Sequence, residues 1–153
     1  MRPGDLGRVT ELHGALYAAE YGFDQRFEAY VAETLGEFGK SGASPRSRLW
    51  IAERDGRLVG SIGIVEREGD WAQLRWFLTH PDERGRGFGR RLLNEALDFC
   101  RESGYRGVYL WTVTGLPAAA HLYLAAGFQL TDEKPPESLW GVTLSEQRYA
   151  MSF

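Results

Sequence analysis

The chain has 153 residues, of which 43% are hydrophobic and 25% are charged, and this size and composition suit one soluble domain. Its 18 Lys and Arg residues stand against 21 Asp and Glu residues, for a net charge of −3. This balance excludes a protein that coats nucleic acid without sequence preference, because that function needs a broadly basic face. Basic residues cluster only locally, at Arg84, Arg86, Arg90 and Arg91.

The sequence lacks the marks of a secreted or membrane protein. Cys100 is the only cysteine, so an intrachain disulfide is excluded and a reducing compartment is expected. There is no apolar run of about 18 residues, as a transmembrane helix requires, and the stretch from Met1 to Asp5 does not begin a secretory signal. We therefore expect a cytoplasmic protein that binds neither membranes nor, directly, nucleic acid.

Apolar residues recur at helical spacing near the N-terminus. This spacing predicts a helix from Asp5 to about Tyr21 and a second one from Asp24, which suits an N-cap, to Phe38. The segment Gly39–Pro45 is rich in Gly and Ser, and this composition predicts a loop.

The pattern then becomes that of β-strands. Leu49–Glu53 and Arg57–Val65 predict a hairpin whose turn is Asp55-Gly56, a dipeptide typical of tight turns. Trp71–Thr79 predicts a third strand, which His80-Pro81 ends.

Helices and strands alternate in the second half of the chain. An amphipathic helix is predicted to end at Gly104 in a left-handed cap. Its apolar face carries Phe88, Leu92, Leu93, Ala96, Leu97 and Cys100. Gly107–Val113 predicts a buried strand, and Pro117 suits the first turn of a helix that continues to about Ala126 and stops at Gly127.

Two final strands are predicted at Phe128–Thr131 and Val142–Phe153, with the polar segment Asp132–Ser138 as a loop between them. The order of elements is then ααβββαβαββ. Neither a repeat nor a linker is visible, so we predict one mixed α/β (α+β) domain over residues 1–153, with a single sheet.

The segment Arg84-Gly-Arg-Gly-Phe-Gly89 lies between a strand end and the amphipathic helix. The first N–H groups of a helix have no intrahelical partner, and the helix dipole favours negative charge there. Glycines let a backbone approach a ligand closely. The segment therefore predicts either an anion site or a glycine-rich turn that only begins a helix.

Two common phosphate-binding patterns do not fit this turn. A P-loop needs a lysine after its glycines, and none follows here. The dinucleotide fingerprint needs a third glycine where Arg90 stands, and it needs an acid about 20 residues on, where Trp111 and Thr112 lie.

Two segments carry a resemblance to a known family. Arg84-x-x-Gly87-x-Gly89 matches the Arg/Gln-x-x-Gly-x-Gly/Ala motif of the GNAT acetyltransferases, and Leu78-Thr-His-Pro81 matches the strand end before it. Downstream, Ala119-x-x-x-Tyr123-x-x-x-Gly127-Phe128 matches the family's second diagnostic segment. Over about residues 49–132 the chain therefore resembles a GNAT acetyltransferase.

The resemblance implies a GNAT fold: a mixed sheet of six to seven strands, flanked by about four helices and splayed between the family's fourth and fifth strands. Those two strands match Trp71–Thr79 and Gly107–Val113. The family's first strand would precede Arg2. The stretch Leu12–Phe23 is similar to a subgroup often fused behind a MarR-type regulator, which this sequence does not contain.

The resemblance also implies that acetyl-CoA binds as cosubstrate. In the family, the strand before the turn pairs with the pantetheine arm, and the turn amides hold the pyrophosphate. The matching positions are Phe77, Leu78, Thr79, Arg84, Gly85, Arg86, Gly87, Phe88, Gly89 and Arg90.

Tyr123 matches the tyrosine that many family members use as general acid, which protonates the departing thiolate. A core tyrosine is the alternative, since Tyr123 shares a helix face with Ala119 and Ala126. The chain departs from the family at Leu116, where many members carry an asparagine that contacts the cofactor.

The base that takes the proton from the incoming amine is left open. Glu20 and His13 are candidates, because the resemblance places their helix beside the acceptor pocket; Glu66 and His80 are weaker ones. Each can instead be a surface residue. The aromatic residues Tyr17, Tyr21, Trp76, Trp111 and Trp140 either line that pocket or belong to the core.

Other chemistries find little support in the sequence. His13, His80 and His121 are isolated from one another, so we expect no metal site. Val59-Gly-Ser61-Ile-Gly63 lacks the first glycine of the serine hydrolase motif. Cys100, on an apolar helix face, is expected to be an inert buried thiol.

Two classes of function remain. The first is an N-acetyltransferase that acts on a small amine or on a peptide or protein amine; the second is an acyl-CoA-binding module with little turnover, acting as a sensor. The acceptor is not specified by the sequence, although the net charge of −3 slightly favours a cationic one. By analogy with the family, a homodimer is expected.

Overall fold

Two helices occupy the N-terminal part of the chain, as the apolar spacing predicts. The computed structural model describes residues 1–42 and 44–153. Helix α1 comprises Asp5–Tyr21 and ends at Gly22, which has a left-handed φ of 72°. Helix α2 comprises Gln25–Lys40, and the predicted N-cap is confirmed because the Asp24 side chain accepts a hydrogen bond from the Arg26 backbone N–H at 3.0 Å.

Helix α2 is longer than predicted at its C-terminal end. Gly39 and Lys40, which were expected in a loop, belong to its last turn. An added Cβ at Gly39 would lie 2.7 Å from Leu6 Cδ1, so the glycine allows α2 to approach α1 closely. Ala43, in the middle of the predicted loop Gly39–Pro45, lies outside the described residues.

The predicted hairpin is confirmed. Strands β1 (Arg48–Arg54) and β2 (Arg57–Glu66) pair antiparallel. Asp55 and Gly56 have φ angles of 52° and 74°, and two consecutive left-handed residues form the turn that matches the twist of paired strands. Strand β3 (Trp71–Thr79) then pairs antiparallel with β2.

The next three elements also follow the prediction. Helix α3 comprises Phe88–Glu102, strand β4 Gly107–Val113 and helix α4 Pro117–Ala126. Gly104 and Gly127, with φ angles of 75° and 105°, follow the two helices in the left-handed conformation that terminates a helix.

The C-terminal part differs from the prediction. Strand β5 comprises Gln129–Glu133, and the expected loop Asp132–Ser138 contains the end of β5 and the start of a further strand, β6 (Glu137–Leu139). The expected single strand Val142–Phe153 is two strands, β7 (Val142–Leu144) and β8 (Glu146–Ser152). Strands β6 and β7 form a separate hairpin, whose turn residues Trp140 and Gly141 have φ angles of 53° and 83°.

The main sheet has six strands in the order β1-β2-β3-β4-β8-β5. Only β3 and β4 are parallel, and their pairing is limited to Trp71–Gly107, Ala72–Val108 and Gln73–Tyr109. Beyond these pairs the two strands diverge, whereas β4 pairs with β8 along its whole length. The predicted mixed sheet, flanked by four helices and splayed at this place, is confirmed.

Two apolar clusters cover the two faces of the sheet. One lies under α3 and α4 and contains Ile62, Ile64, Leu93, Leu97, Cys100, Val108 and Phe128. The other lies under α1 and α2 and contains Val9, Phe27, Val31, Leu35, Leu49 and Trp76. Within the described ranges, no helix combines the length and the apolar character needed to cross a bilayer.

Candidate functional site

A β-bulge interrupts β3 beyond the point where its pairing with β4 ends. The partner of Ser61 is Leu78, but the partner of Gly63 is Arg75, so β3 carries an extra residue between these pairs. Trp76, in this bulge, has a φ of 48°, and its carbonyl accepts a hydrogen bond from the buried Ser61 hydroxyl at 2.6 Å. Because pairing with β4 ends at Gln73, Phe77–Thr79 are unpaired on the side that faces β4.

A cavity of about 480 Å³ lies beside this free strand end. We call it the turn cavity, because the turn Arg84–Gly89 forms one of its walls; the other walls come from α1, β3 and α4. The predicted cofactor-binding residues that line it are Phe77, Leu78, Thr79, Arg84, Gly85, Gly87, Phe88, Gly89 and Arg90. Two predicted residues do not line it: Arg86, and Tyr123, which lines a neighbouring cavity.

The turn at the mouth of this cavity is built around two left-handed glycines. Gly85 and Gly87 have φ angles of 77° and 72°, a conformation that costs other residues about 1 kcal/mol or more. Gly87 is the N-cap of α3, and no acidic residue occupies the first turn of that helix. The positive end of the α3 dipole, together with Arg84 and Arg90, therefore faces the cavity without a competing carboxylate from α3.

An ion pair joins the turn to helix α1. Arg84 Nη1 and Nη2 donate to Glu20 Oε2 and Oε1, both at 2.8 Å, and this hydrogen bonding raises the pKa of Arg84 above its usual value. Glu20, the candidate base, therefore lies on the wall of the turn cavity with both of its carboxylate oxygens held by an arginine.

A second cavity, of about 130 Å³, lies on the other side of the splayed strands. We call it the aromatic cavity, because nine of its lining residues carry phenyl, phenol or indole rings: Tyr17, Phe23, Phe27, Tyr30, Trp76, Phe77, Trp111, Tyr123 and Trp140. Three residues, Tyr17, Phe77 and Leu116, line both cavities. The two spaces therefore meet where the strands separate.

Tyr123 lines the aromatic cavity. It is buried, and its ring contacts the rings of Phe77, Phe128 and Tyr149 at centroid distances of 6.2, 5.8 and 5.7 Å. Burial, with smaller effects of Tyr17 and Tyr149, raises the pKa of Tyr123 well above its usual value. The hydroxyl therefore stays protonated at neutral pH, as a proton donor must.

His13 lies on the wall of the aromatic cavity, stacked against Tyr17 with an interplanar angle of 7°. Its Nδ1 is 2.8 Å from the Val9 carbonyl oxygen, so Nδ1 carries the proton of the neutral ring. Burial lowers the pKa of His13 to about 4. Its Nε2 is buried and has no hydrogen-bond partner among the described residues.

The two weaker base candidates lie outside both cavities. Glu66 accepts hydrogen bonds from Ser44 and Arg46, and His80 accepts one from the Asp82 backbone N–H. Cys100 is buried, which raises the pKa of its thiol to about 12. No group of acidic, histidine or cysteine side chains in the described chain could hold a metal ion.

Residues that line the aromatic cavity and were not predicted from the sequence include Arg75, Gln73 and Glu146. One signal was available for the first two: alternation along Trp71–Thr79 places Gln73 and Arg75 on the face opposite Ala72 and Leu74. No comparable signal existed for Glu146, because the position of β8 beside β4 cannot be derived from local sequence.

Comparison with known proteins agrees with the fold. Residues 11–128 match the model of the acetyltransferase (GNAT) family. The chain is 34% identical to N-acetyltransferase 8B of Rattus norvegicus over 76% of its length, but it spans only 57% of that protein. It is 26% identical to the L-amino acid N-acyltransferase MnaT of Escherichia coli (strain K12), over 88% of this chain and 80% of MnaT.

A solved structure shows the same architecture. An acetyltransferase of the GNAT family from Staphylococcus aureus Mu50 superimposes with a TM-score of 0.80 and covers 99% of this chain and 95% of its own. The two sequences are 18% identical, so the likeness is one of fold.

Proposed function

Because this chain belongs to the acetyltransferase (GNAT) family, we propose that it is an N-acetyltransferase that transfers an acetyl group from acetyl-CoA to an amine. The observation that carries the proposal is the junction of two cavities at the splayed strands, one beside the glycine-rich turn Arg84–Gly89 and one lined by aromatic rings. A cosubstrate in the first cavity would present its acyl group to an acceptor in the second.

The turn cavity suits coenzyme A in three respects. The N-terminus of α3 and Arg90 supply positive charge for a pyrophosphate. Phe77–Thr79 offers a free strand edge to which the amide groups of pantetheine can bind. A volume of about 480 Å³ lies within the usual range for small-molecule sites, about 300–1,000 Å³.

Transfer would proceed by direct attack. The amine nitrogen adds to the thioester carbonyl, and the tetrahedral intermediate then loses the thiolate as its carbon–sulfur bond breaks. We assign Tyr123 as the acid that protonates this sulfur, a role supported by its ring contact with Phe77, which lines both cavities.

The proton of the attacking amine needs a separate acceptor. Glu20 is the proposed base, and its ion pair with Arg84 would have to open for its carboxylate to take up that proton. This requirement makes the assignment directly testable by substitution.

A second candidate function is an acyl-CoA sensor with little turnover. Leu116 favours it, because a leucine at the junction of the two cavities cannot supply the polar contact that an asparagine gives the cofactor in many family members. Residues 12–23 resemble a subgroup that is often fused to a MarR-type regulator, and such a fusion would suit a sensor. Cytoplasmic location and a homodimer stay predictions.

Release of free thiol from acetyl-CoA, measured across a panel of amines, separates the two functions. The transferase predicts amine-dependent release with at least one acceptor. Binding of acetyl-CoA by calorimetry without any release would instead support the sensor. Failure to bind acetyl-CoA would contradict both.

A further inference from the structure

An uncompensated cation lies on the wall of the aromatic cavity. Arg75 Nη2 donates a hydrogen bond to the Tyr30 hydroxyl at 2.8 Å, and its guanidinium lies over the rings of Trp76 and Tyr30 at 5.0 and 5.7 Å. No carboxylate of the described chain forms a salt bridge with Arg75. The cation is therefore held in one orientation, with several of its donors free for a ligand.

A side chain of opposite charge lines the same cavity. Glu146 is the residue of β8 that pairs with Val113 of β4, and both line the cavity. Its Oε2 accepts a hydrogen bond from Lys134 Nζ at 3.1 Å, whereas Oε1 has no protein partner among the described residues. This oxygen can accept a hydrogen bond from an amine.

The size of the cavity that both charged groups line suits a compact flat group. The cavity has a volume of about 130 Å³, and a cavity of roughly 150 Å³ with apolar walls holds one benzene molecule. Phe23, Phe27 and Trp140 form a cluster of rings at centroid distances of 4.9 to 5.2 Å, which favours an aromatic ring as the guest.

We propose that the acceptor is an amine that also carries a carboxylate and a compact aromatic group, as in an aromatic α-amino acid. Arg75 binds the carboxylate, the rings enclose the aromatic group, and the amine lies toward Glu146 and the junction of the cavities. This inference rests on the proposed transferase function. The inference disfavours a polyamine, because Arg75 repels a second positive charge in the cavity. This repulsion acts against the slight preference for a cationic acceptor that the net charge of −3 implies.

The test compares L-phenylalanine with phenethylamine, which differs only by lacking the carboxylate, and with spermidine. Thiol release gives kcat and KM for the natural sequence, for Arg75→Gln and Arg75→Lys, and for the matched control Arg57→Gln. Arg57 is an exposed arginine at the β1–β2 turn, remote from both cavities. Quenching of intrinsic tryptophan fluorescence measures the binding of L-phenylalanine independently of turnover.

We expect a KM at least tenfold lower for L-phenylalanine than for phenethylamine. Arg75→Gln should raise the KM for L-phenylalanine by about tenfold to a hundredfold, as expected for the loss of a charge-assisted hydrogen bond. The KM of Arg75→Gln for phenethylamine should stay unchanged. For L-phenylalanine, the KM of Arg75→Lys should lie between those of Arg75→Gln and the natural sequence. Arg57→Gln should have the same KM values as the natural sequence.

The other outcomes separate the inference from the function on which it rests. If phenethylamine or spermidine has an equal or lower KM, the inference is overturned and the transferase function stands. If no amine is acetylated but Arg75→Gln alone weakens L-phenylalanine binding, the transferase function is overturned and the binding site stands. If no amine is acetylated and L-phenylalanine does not bind, both the inference and the transferase function are overturned.

Discussion

Arg84 and Glu20, separated by 64 positions in the chain, form an ion pair in which both carboxylate oxygens accept hydrogen bonds of 2.8 Å. The pair connects the N-terminal helix to the turn that begins α3. It places the candidate base and a candidate cofactor-binding arginine in direct contact, so a change in one residue alters the electrostatic environment of the other.

Substitution of Glu20 tests its assignment as base. If Glu20 takes the amine proton, Glu20→Gln lowers kcat by roughly a hundredfold or more. Glu11→Gln, which makes the same charge change at an exposed position of α1, serves as the control and should leave kcat unchanged. A Glu20→Gln variant that keeps more than a tenth of the activity would show that the carboxylate only holds Arg84.

Substitution of Tyr123 tests the general acid. We expect Tyr123→Phe to lower kcat by roughly a hundredfold while the KM for acetyl-CoA changes little, because the ring that packs against Phe77 and Phe128 is retained. Tyr149→Phe removes one hydroxyl from a residue in ring contact with Tyr123 and should keep nearly full activity. Equal turnover in Tyr123→Phe at every pH would remove this tyrosine from the mechanism.

Elements with a strong local signal were predictable from the sequence. The dipeptide Asp55-Gly56 predicts the turn that it forms, and the apolar faces of α1 and α3 predict where both helices lie in the chain. The strands Glu137–Leu139 and Val142–Leu144 are too short for alternation to be visible. They form because the Trp140 carbonyl accepts a hydrogen bond from the Asp24 backbone N–H at 3.0 Å and the Trp140 ring contacts Phe23 and Phe27, contacts that only the folded chain provides.

The candidate site, too, was predictable from the sequence only in part. The turn at Gly85 and Gly87 was identified because its motif is continuous in the sequence. The pairing of Arg84 with Glu20 depends on how the sheet orders and separates its strands. The same holds for the position of Arg75 and Glu146 in one cavity. No local pattern contains that information.

The left-handed glycine at the N-terminus of α3 offers a test of the turn. Gly87→Ala should reduce the free energy of unfolding by about 1 kcal/mol, since alanine is strained at a φ of 72°. It should also weaken acetyl-CoA binding by about tenfold, because relief of the strain shifts the amides that face the pyrophosphate. Denaturant unfolding and calorimetry measure the two effects.

Gly104→Ala is the matched control for the turn. Gly104 has a φ of 75°, lies just beyond the other end of α3, and has no atom within 4 Å of an added Cβ. The Gly104→Ala variant should lose about as much free energy of unfolding as Gly87→Ala and should keep its affinity for acetyl-CoA. Equal affinity in the two variants would contradict a role of the turn in binding the cofactor.

The buried imidazole of His13 makes stability depend on pH. Burial lowers its pKa from 6.5 to about 4 in the folded protein, so between these values the unfolded chain binds the proton more readily. The stabilising contribution of the neutral ring is complete above pH 6.5 and decreases as the pH falls towards 4. Between pH 7 and pH 4.5 the loss amounts to about 2–3 kcal/mol.

The variant His13→Phe keeps a flat ring of similar size but does not titrate. The free energy of unfolding of this variant, measured with urea at both pH values, should therefore fall by about 2–3 kcal/mol less than that of the natural sequence. His121→Gln removes an exposed histidine and should follow the natural sequence. If His13→Phe and the natural sequence lose equal stability, the pKa of His13 is not lowered by folding, and the ring is protonated in the folded protein at pH 4.5.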